Sequence, residues 1–160
     1  MSERGKDQDL VAALLAGQST LSLATTNASG QPYITPLFYY FVEKEFSLCW
    51  LSEGDTQHSR NLARSPEAAV AVYRHTERWQ EICGVQMTGR AVRIEDRALR
   101  KAIVAAYMKR FNLGTIFRLA ISRCTLYAFR PDWIRYLDNS KHFGYKFELR
   151  LPPEAGGAQH

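Results

Sequence analysis

Residues 51–62 read LSEGDTQHSRNL and concentrate side chains that could hold an anion. Ser52, Thr56 and Ser59 bring hydroxyls, Gln57 an amide, and His58 and Arg60 basic groups. Asp55 or Thr56 is a suitable N-cap for a short helix, whose first-turn N–H groups have no intrahelical partner. Those donors, together with the positive end of the helix dipole, attract phosphate. The set therefore suits a terminal phosphate; the alternative is an ordinary capped surface helix. It is not a P-loop, because the G-x-x-x-x-G-K-[ST] spacing is absent.

Other chemistries fit less well. His58 and Ser59 are adjacent, but neighbouring side chains on a helix diverge, and no G-x-S-x-G elbow accompanies them. His58, His75, His142 and His160 show neither H-x-x-x-H nor H-E-x-x-H spacing, so no dedicated metal site is expected. Glu43 and Glu45 sit in an evident turn and read as solvated. Cys49, Cys83 and Cys124 form no C-x-x-C pair, which argues against structural zinc and a disulfide framework and for buried free thiols.

The elements that must position the cluster follow from hydrophobic patterning. DQDLVAALLAG, residues 7–17, reads as a short amphipathic helix capped at Gly17. TLSLATT reads as a strand with Leu21, Leu23 and Thr25 on one face. The turn NASGQ, the run PYITPLFYYFV, the turn EKE and the run FSLCWLS then predict an antiparallel three-strand meander. QHSRNLARSP is a short helix stopped before Pro66, and AAVAVYR another strand. WQEICGVQMTGRAVRI predicts one long strand with a bulge or bend at Gly84 or Gly89. Residues 96–111 form the strongest helix, with Leu99, Ile103, Ala106 and Tyr107 as its apolar stripe. TLYAFRPDWIRYLDN and GYKFELRL return to strand.

Six or seven strands in short-looped succession favour a mainly β, α+β chain: a small, closed or partly closed antiparallel barrel with a few peripheral helices. The 160 residues suit one domain over 1–150 and a flexible C-terminal tail over 151–160. A hydrophobic fraction of 46% and a charged fraction of 23% are ordinary for a soluble globular protein. No run approaches the length of a membrane span and no signal peptide is visible, which makes the cytoplasm the expected location. The net charge of +5 is spread along the chain without a Lys/Arg block, so nucleic acid is not the expected partner.

TTNASGQPYITPLFYYF, LCWLSEGDTQHSRNLARSP, VYR and GVQMTGRAV, in that order, resemble the pyridoxamine-phosphate-oxidase-like FMN-binding split barrels, and within them the small bacterial YhbP-type proteins. The resemblance spans residues 20–150, with PDWIRYLDNSKHFGYKFEL as its last piece. It implies a split β-barrel, a homodimer with FMN in the cleft between subunits, and an oxidoreductase acting on a small molecule, with NAD(P)H as a candidate donor. It also implies that the backbone at Thr35, Leu37 and Phe38 serves the flavin ring, while Leu51, Ser52, Thr56, Gln57 and His58, with Ser59 and Arg60, hold ribityl and phosphate. Trp79 and Gln86 are either cleft-edge groups or a packed indole and a strand amide. Trp133 and Asn139 belong to a stretch that approaches the cleft across the dimer in relatives.

The departures from the family pattern are chemical. Gln57 and His58 stand where the oxidase has an Arg-Lys pair, and Thr35 where it has another arginine. Arg135-Tyr136-Leu137 replaces the substrate-binding Arg-x-His. A grip with fewer permanent cations holds a phosphate dianion less tightly, and pyridoxamine phosphate is not the expected substrate. Two alternatives remain: a non-catalytic flavin- or haem-binding protein, with His75 or His142 as axial ligand, and a deazaflavin-dependent reductase.

Overall fold

The computed structural model describes residues 3–152. Eight strands form one antiparallel sheet: β1 (Thr20–Thr26), β2 (Pro32–Phe38), β3 (Tyr40–Val42), β4 (Ser47–Ser52), β5 (Glu67–Tyr73), β6 (Cys83–Arg93), β7 (Thr125–Asp138) and β8 (Lys146–Arg150). Their order is β2-β1-β5-β6-β7-β4-β3, with β8 also paired to β7. Four α-helices accompany them: α1 (Glu3–Gly17), α2 (Gln57–Arg64), α3 (Arg97–Arg110) and α4 (Arg118–Arg123). The sheet curls into the expected half-barrel.

The meander expected for the first strands forms as two hairpins, β1 with β2 and β3 with β4, because its middle run is interrupted. PYITPLFYYFV breaks at Tyr39, leaving β2 on one edge of the sheet and β3 on the other. Tyr39 is fully buried; its N–H donates to the Ser19 carbonyl at 2.9 Å and its hydroxyl to the Leu15 carbonyl at 2.6 Å. Because β2 and β3 are consecutive in the chain, this one residue draws the two edges of the sheet together. The two edges are joined by the chain path at Tyr39, with no ladder between β2 and β3.

Elsewhere the pattern holds. Leu21, Leu23 and Thr25 are all buried on the inner face of β1. Leu21 and Leu23 join Val70, Val72, Val85, Met87, Phe129 and Ile134 in the main core, which α1 closes with Val11, Leu14 and Leu15. Helix α1 begins before the expected residue 7, and Gly17 ends it without a left-handed φ. A second cluster of Cys49, Ile94, Ile103, Leu126 and Ala128 lies under α3. WQE is a 3₁₀ turn, so β6 starts at Cys83 instead of Trp79.

Gly89 carries the irregularity. The register between β6 and β7 shifts between Thr88 and Gly89, where Asp132 is the extra residue of a bulge in β7. A Cβ on Gly89 would lie 2.1 Å from the Arg130 carbonyl oxygen. Cys49 and Cys83 are buried free thiols as expected, whereas Cys124 is only half-buried. Burial pushes the Cys49 thiol up to about 11. Most of the expected tail lies outside the described residues; of the two that are described, Leu151 donates its N–H to the Asp132 carbonyl at 3.0 Å. No described helix is long and apolar enough to cross a membrane.

Candidate functional site

Strand β4 delivers Ser52 to the mouth of the barrel, and Thr56 caps α2 from an extended conformation. The Thr56 hydroxyl oxygen accepts from the Ser59 N–H at 3.3 Å. Ser65 ends the helix with extended backbone, as the residue before Pro66 must. Of the two expected caps, Thr56 is the one used.

Four side chains meet at this corner. Nε2 of His58 lies 2.7 Å from Ser52 Oγ and 3.1 Å from Thr56 Oγ1. Thr56 Oγ1 is also 2.8 Å from Ser59 Oγ, and Ser59 Oγ donates to the Glu53 carbonyl at 2.9 Å. His58 is only 5% exposed, and burial lowers its pKa from the ordinary histidine value. The ring is therefore held neutral, with two hydroxyls converging on one nitrogen. A neutral, hydroxyl-rich corner at a helix start can turn O–H and N–H donors toward an anion.

Gln57 and Arg60 line the rim. Gln57 Nε2 donates to Asn61 Oδ1 at 2.8 Å, and Arg60 donates to Gln57 Oε1 at 3.0 Å and to the Asp55 carbonyl. Asn61 in turn donates to Thr25 Oγ1 at 2.9 Å, which ties α2 to the inner face of β1. Neither Asn61 nor Thr25 was among the residues expected to hold the cofactor, although Thr25 was expected on one face of β1. Their signal is positional: Asn61 follows Gln57 by one helical turn, beside Leu62 on the buried face.

The β2 residues sit at the sheet edge. An edge strand leaves a row of backbone donors and acceptors unpaired, available to a ligand's polar rim. Thr35 adds a buried hydroxyl oxygen with no hydrogen-bond partner. Leu37 packs on the main core, and the half-exposed Phe38 ring meets Phe111 edge-on at 5.2 Å. The Leu51 side chain packs in the cluster under α3.

The remaining candidates lie apart from this corner. Trp79 and Asn139 meet each other, with Asn139 Nδ2 donating to the Trp79 carbonyl at 2.9 Å, and the Trp79 ring meets Phe143 edge-on. Gln86 and Trp133 line a shallow apolar hollow of about 300 Å³ on the outer face of the sheet, with Ile34, Ala24, Ala69 and Ala71. Trp133 Nε1 donates to Glu148 at 3.1 Å. His75 and His142 are both exposed.

The family profile described as pyridoxamine 5'-phosphate oxidase matches residues 8–138, from α1 to the end of β7. The chain belongs to the pyridoxamine 5'-phosphate oxidase family. A UPF0306 protein of Photorhabdus laumondii is 26% identical over 132 residues, covering 82% of this chain and 87% of that one. Among solved structures, a conserved hypothetical protein from Mycobacterium tuberculosis superposes with a TM-score of 0.75 at 18% identity, covering 99% and 93% of the two chains. A haem-binding protein from Mycobacterium smegmatis gives 0.71 at 19% identity, with 94% of this chain matched to 59% of that longer one. An FAD-binding protein from Mesorhizobium loti gives 0.60 at 17% identity over 76% and 85%. These likenesses establish the pyridoxamine 5'-phosphate oxidase fold for this chain.

Proposed function

We propose that the protein binds FMN in a cleft completed by a second copy of the chain, and serves as a flavin-dependent oxidoreductase for a small molecule. The observation that carries this reading is the corner formed by Ser52, Thr56, His58 and Ser59 at the start of α2, placed within a pyridoxamine 5'-phosphate oxidase fold.

The residues present fit the cofactor. Hydroxyls of Ser52 and Thr56 and the first-turn N–H groups of α2 are the donors proposed for phosphate, with Arg60 as the cation at the rim, while the Ser59 hydroxyl stays on the Glu53 carbonyl. The unpartnered Thr35 hydroxyl and the free edge of β2 supply polar contacts for a ring system. Bound FMN supplies hydride or electron chemistry; the protein positions it and controls access. His58, neutral and doubly hydrogen-bonded, fixes the hydroxyl orientations.

Dimerisation is supported by the outer face of the sheet. Ala24, Ala69 and Ala71 give it a flat centre that Ile34 and Trp133 border, a surface that suits close approach of a second sheet. Arg135 pairs with Glu148 at 2.8 Å and lies over the Trp133 ring, contacts that compete with gripping a phosphorylated substrate. That favours a substrate other than pyridoxamine phosphate.

The test is a visible spectrum of purified protein, repeated after FMN addition and desalting. Retained flavin bands that NADH or NADPH bleaches are the expected result; a colourless protein that loses added FMN overturns the reading. The likeness to a haem-binding protein supports a second reading, in which a Soret band appears on haem titration and is lost in His75→Ala or His142→Ala.

A further inference from the structure

A second concave surface shares no lining residue with the α2 corner. A groove of about 790 Å³ runs between α3 and the segment 112–122, within the size range of small-molecule sites. Val104, Ala105, Met108, Leu113 and Ile121 give it an apolar lining. Arg97, Arg100, Lys101, Lys109 and Arg118 also line it, and no carboxylate does. None of these five cations forms an ion pair with a carboxylate among the described residues.

Arg100 is the most constrained of them. Its Nη2 donates to the carbonyls of Ile121 and Cys124, at 3.2 and 2.9 Å, which fixes the guanidinium against α4. Its Nη1 is buried and has no hydrogen-bond partner. The anchored guanidinium, with Lys101 and Arg118 also lining the groove, presents a fixed positive charge to an entering carboxylate. Apolar walls and unpaired cations together select a ligand with one anionic head and an apolar body.

We infer that this groove binds a single-chain anionic amphiphile of the long-chain fatty-acid class, with its carboxylate at Arg100 and its chain along Val104, Met108 and Leu113. A bilayer surface offers the same charge and apolar chemistry, and Ile116 and Leu119 beside the groove are 85% and 67% exposed. The single-chain ligand is favoured because the cations line a concave groove with apolar walls, which one chain fills and a flat headgroup layer does not. The inference is independent of flavin binding.

The probe is 11-(dansylamino)undecanoic acid, used with the full chain below micelle-forming concentration. Saturable dansyl enhancement is expected, reversed by palmitate and not by hexadecanol. Loss of a charge-assisted contact in Arg100→Gln should weaken binding about tenfold or more. Ala105→Trp keeps every cation and obstructs an exposed part of the lining, so it tests the groove without disturbing the anchor on α4. It should abolish enhancement while FMN retention and circular dichroism stay at wild-type values. Absence of saturable enhancement, equal displacement by hexadecanol, unchanged binding in Ala105→Trp, or binding only to phosphatidylglycerol vesicles would each overturn the assignment.

Discussion

Ser52 Oγ lies 2.7 Å from Nε2 of His58, between the end of β4 and the first turn of α2. This bond makes the proposed phosphate grip sensitive to pH. Burial lowers the His58 pKa in the folded protein, so on acidification the unfolded chain takes up its proton first. The stability that neutral His58 contributes is complete above the unfolded value of about 6.5 and is lost as pH falls from there toward the folded pKa. The melting temperature should drop between pH 7.5 and 5.0, and the drop should be smaller in His58→Gln. Parallel profiles for the two proteins would remove His58 as the cause.

Phosphate recognition can be separated from ring recognition with riboflavin, which lacks the phosphate. Thr56→Ala removes the cap of α2, at a cost of about 1 kcal/mol in stability, and takes one hydroxyl from the corner. Ser52→Ala removes another. In the double variant FMN affinity, followed by flavin fluorescence, should fall at least about tenfold, the value of one charge-assisted hydrogen bond. Riboflavin affinity should stay near wild type. Equal losses for both flavins would move the phosphate away from this corner.

Local pattern carried much of the fold. Alternation placed Leu21, Leu23 and Thr25 inside β1, and the 3.6-residue period placed Ile103 and Tyr107 of α3 against the sheet. The break at Tyr39 was not legible, because PYITPLFYYFV has strong strand propensity throughout. Its cause is long-range, in the carbonyls of Leu15 and Ser19. Helix α4 was likewise unread: it is six residues long and has no side-chain N-cap. The residue types of the α2 corner were legible, but the Asn61–Thr25 bond that seats the helix joins positions 36 residues apart. Trp79 and Gln86 could not be placed relative to Ser52 until the sheet order was known.

Glycine 89 offers a stability test free of any ligand. A methyl group there meets backbone atoms, 2.1 Å from the Arg130 oxygen and 2.8 Å from the Pro131 Cα, so no side-chain rotation relieves it. Gly89→Ala should cost about 1–3 kcal/mol or more in urea unfolding. Gly54→Ala, where nothing lies within 4 Å of the added Cβ, is the control and should stay within about 0.5 kcal/mol of wild type.

The outer sheet face makes the last prediction. Ala69 is exposed on β5, a central strand whose neighbours β1 and β6 add Ala24 and Gln86 to the same shallow hollow. A charged, bulky side chain at Ala69 would be solvated in a monomer but would obstruct a second copy packed on that face. Light scattering after size exclusion should therefore give twice the chain mass for wild type and one chain mass for Ala69→Arg, with far-UV circular dichroism unchanged. Because the proposed cleft needs both copies, the variant should also lose FMN on desalting even though Ser52, Thr56 and His58 remain. A monomeric variant that keeps FMN would mean that one chain suffices for the cofactor, while a dimeric variant would place the subunit interface on another face.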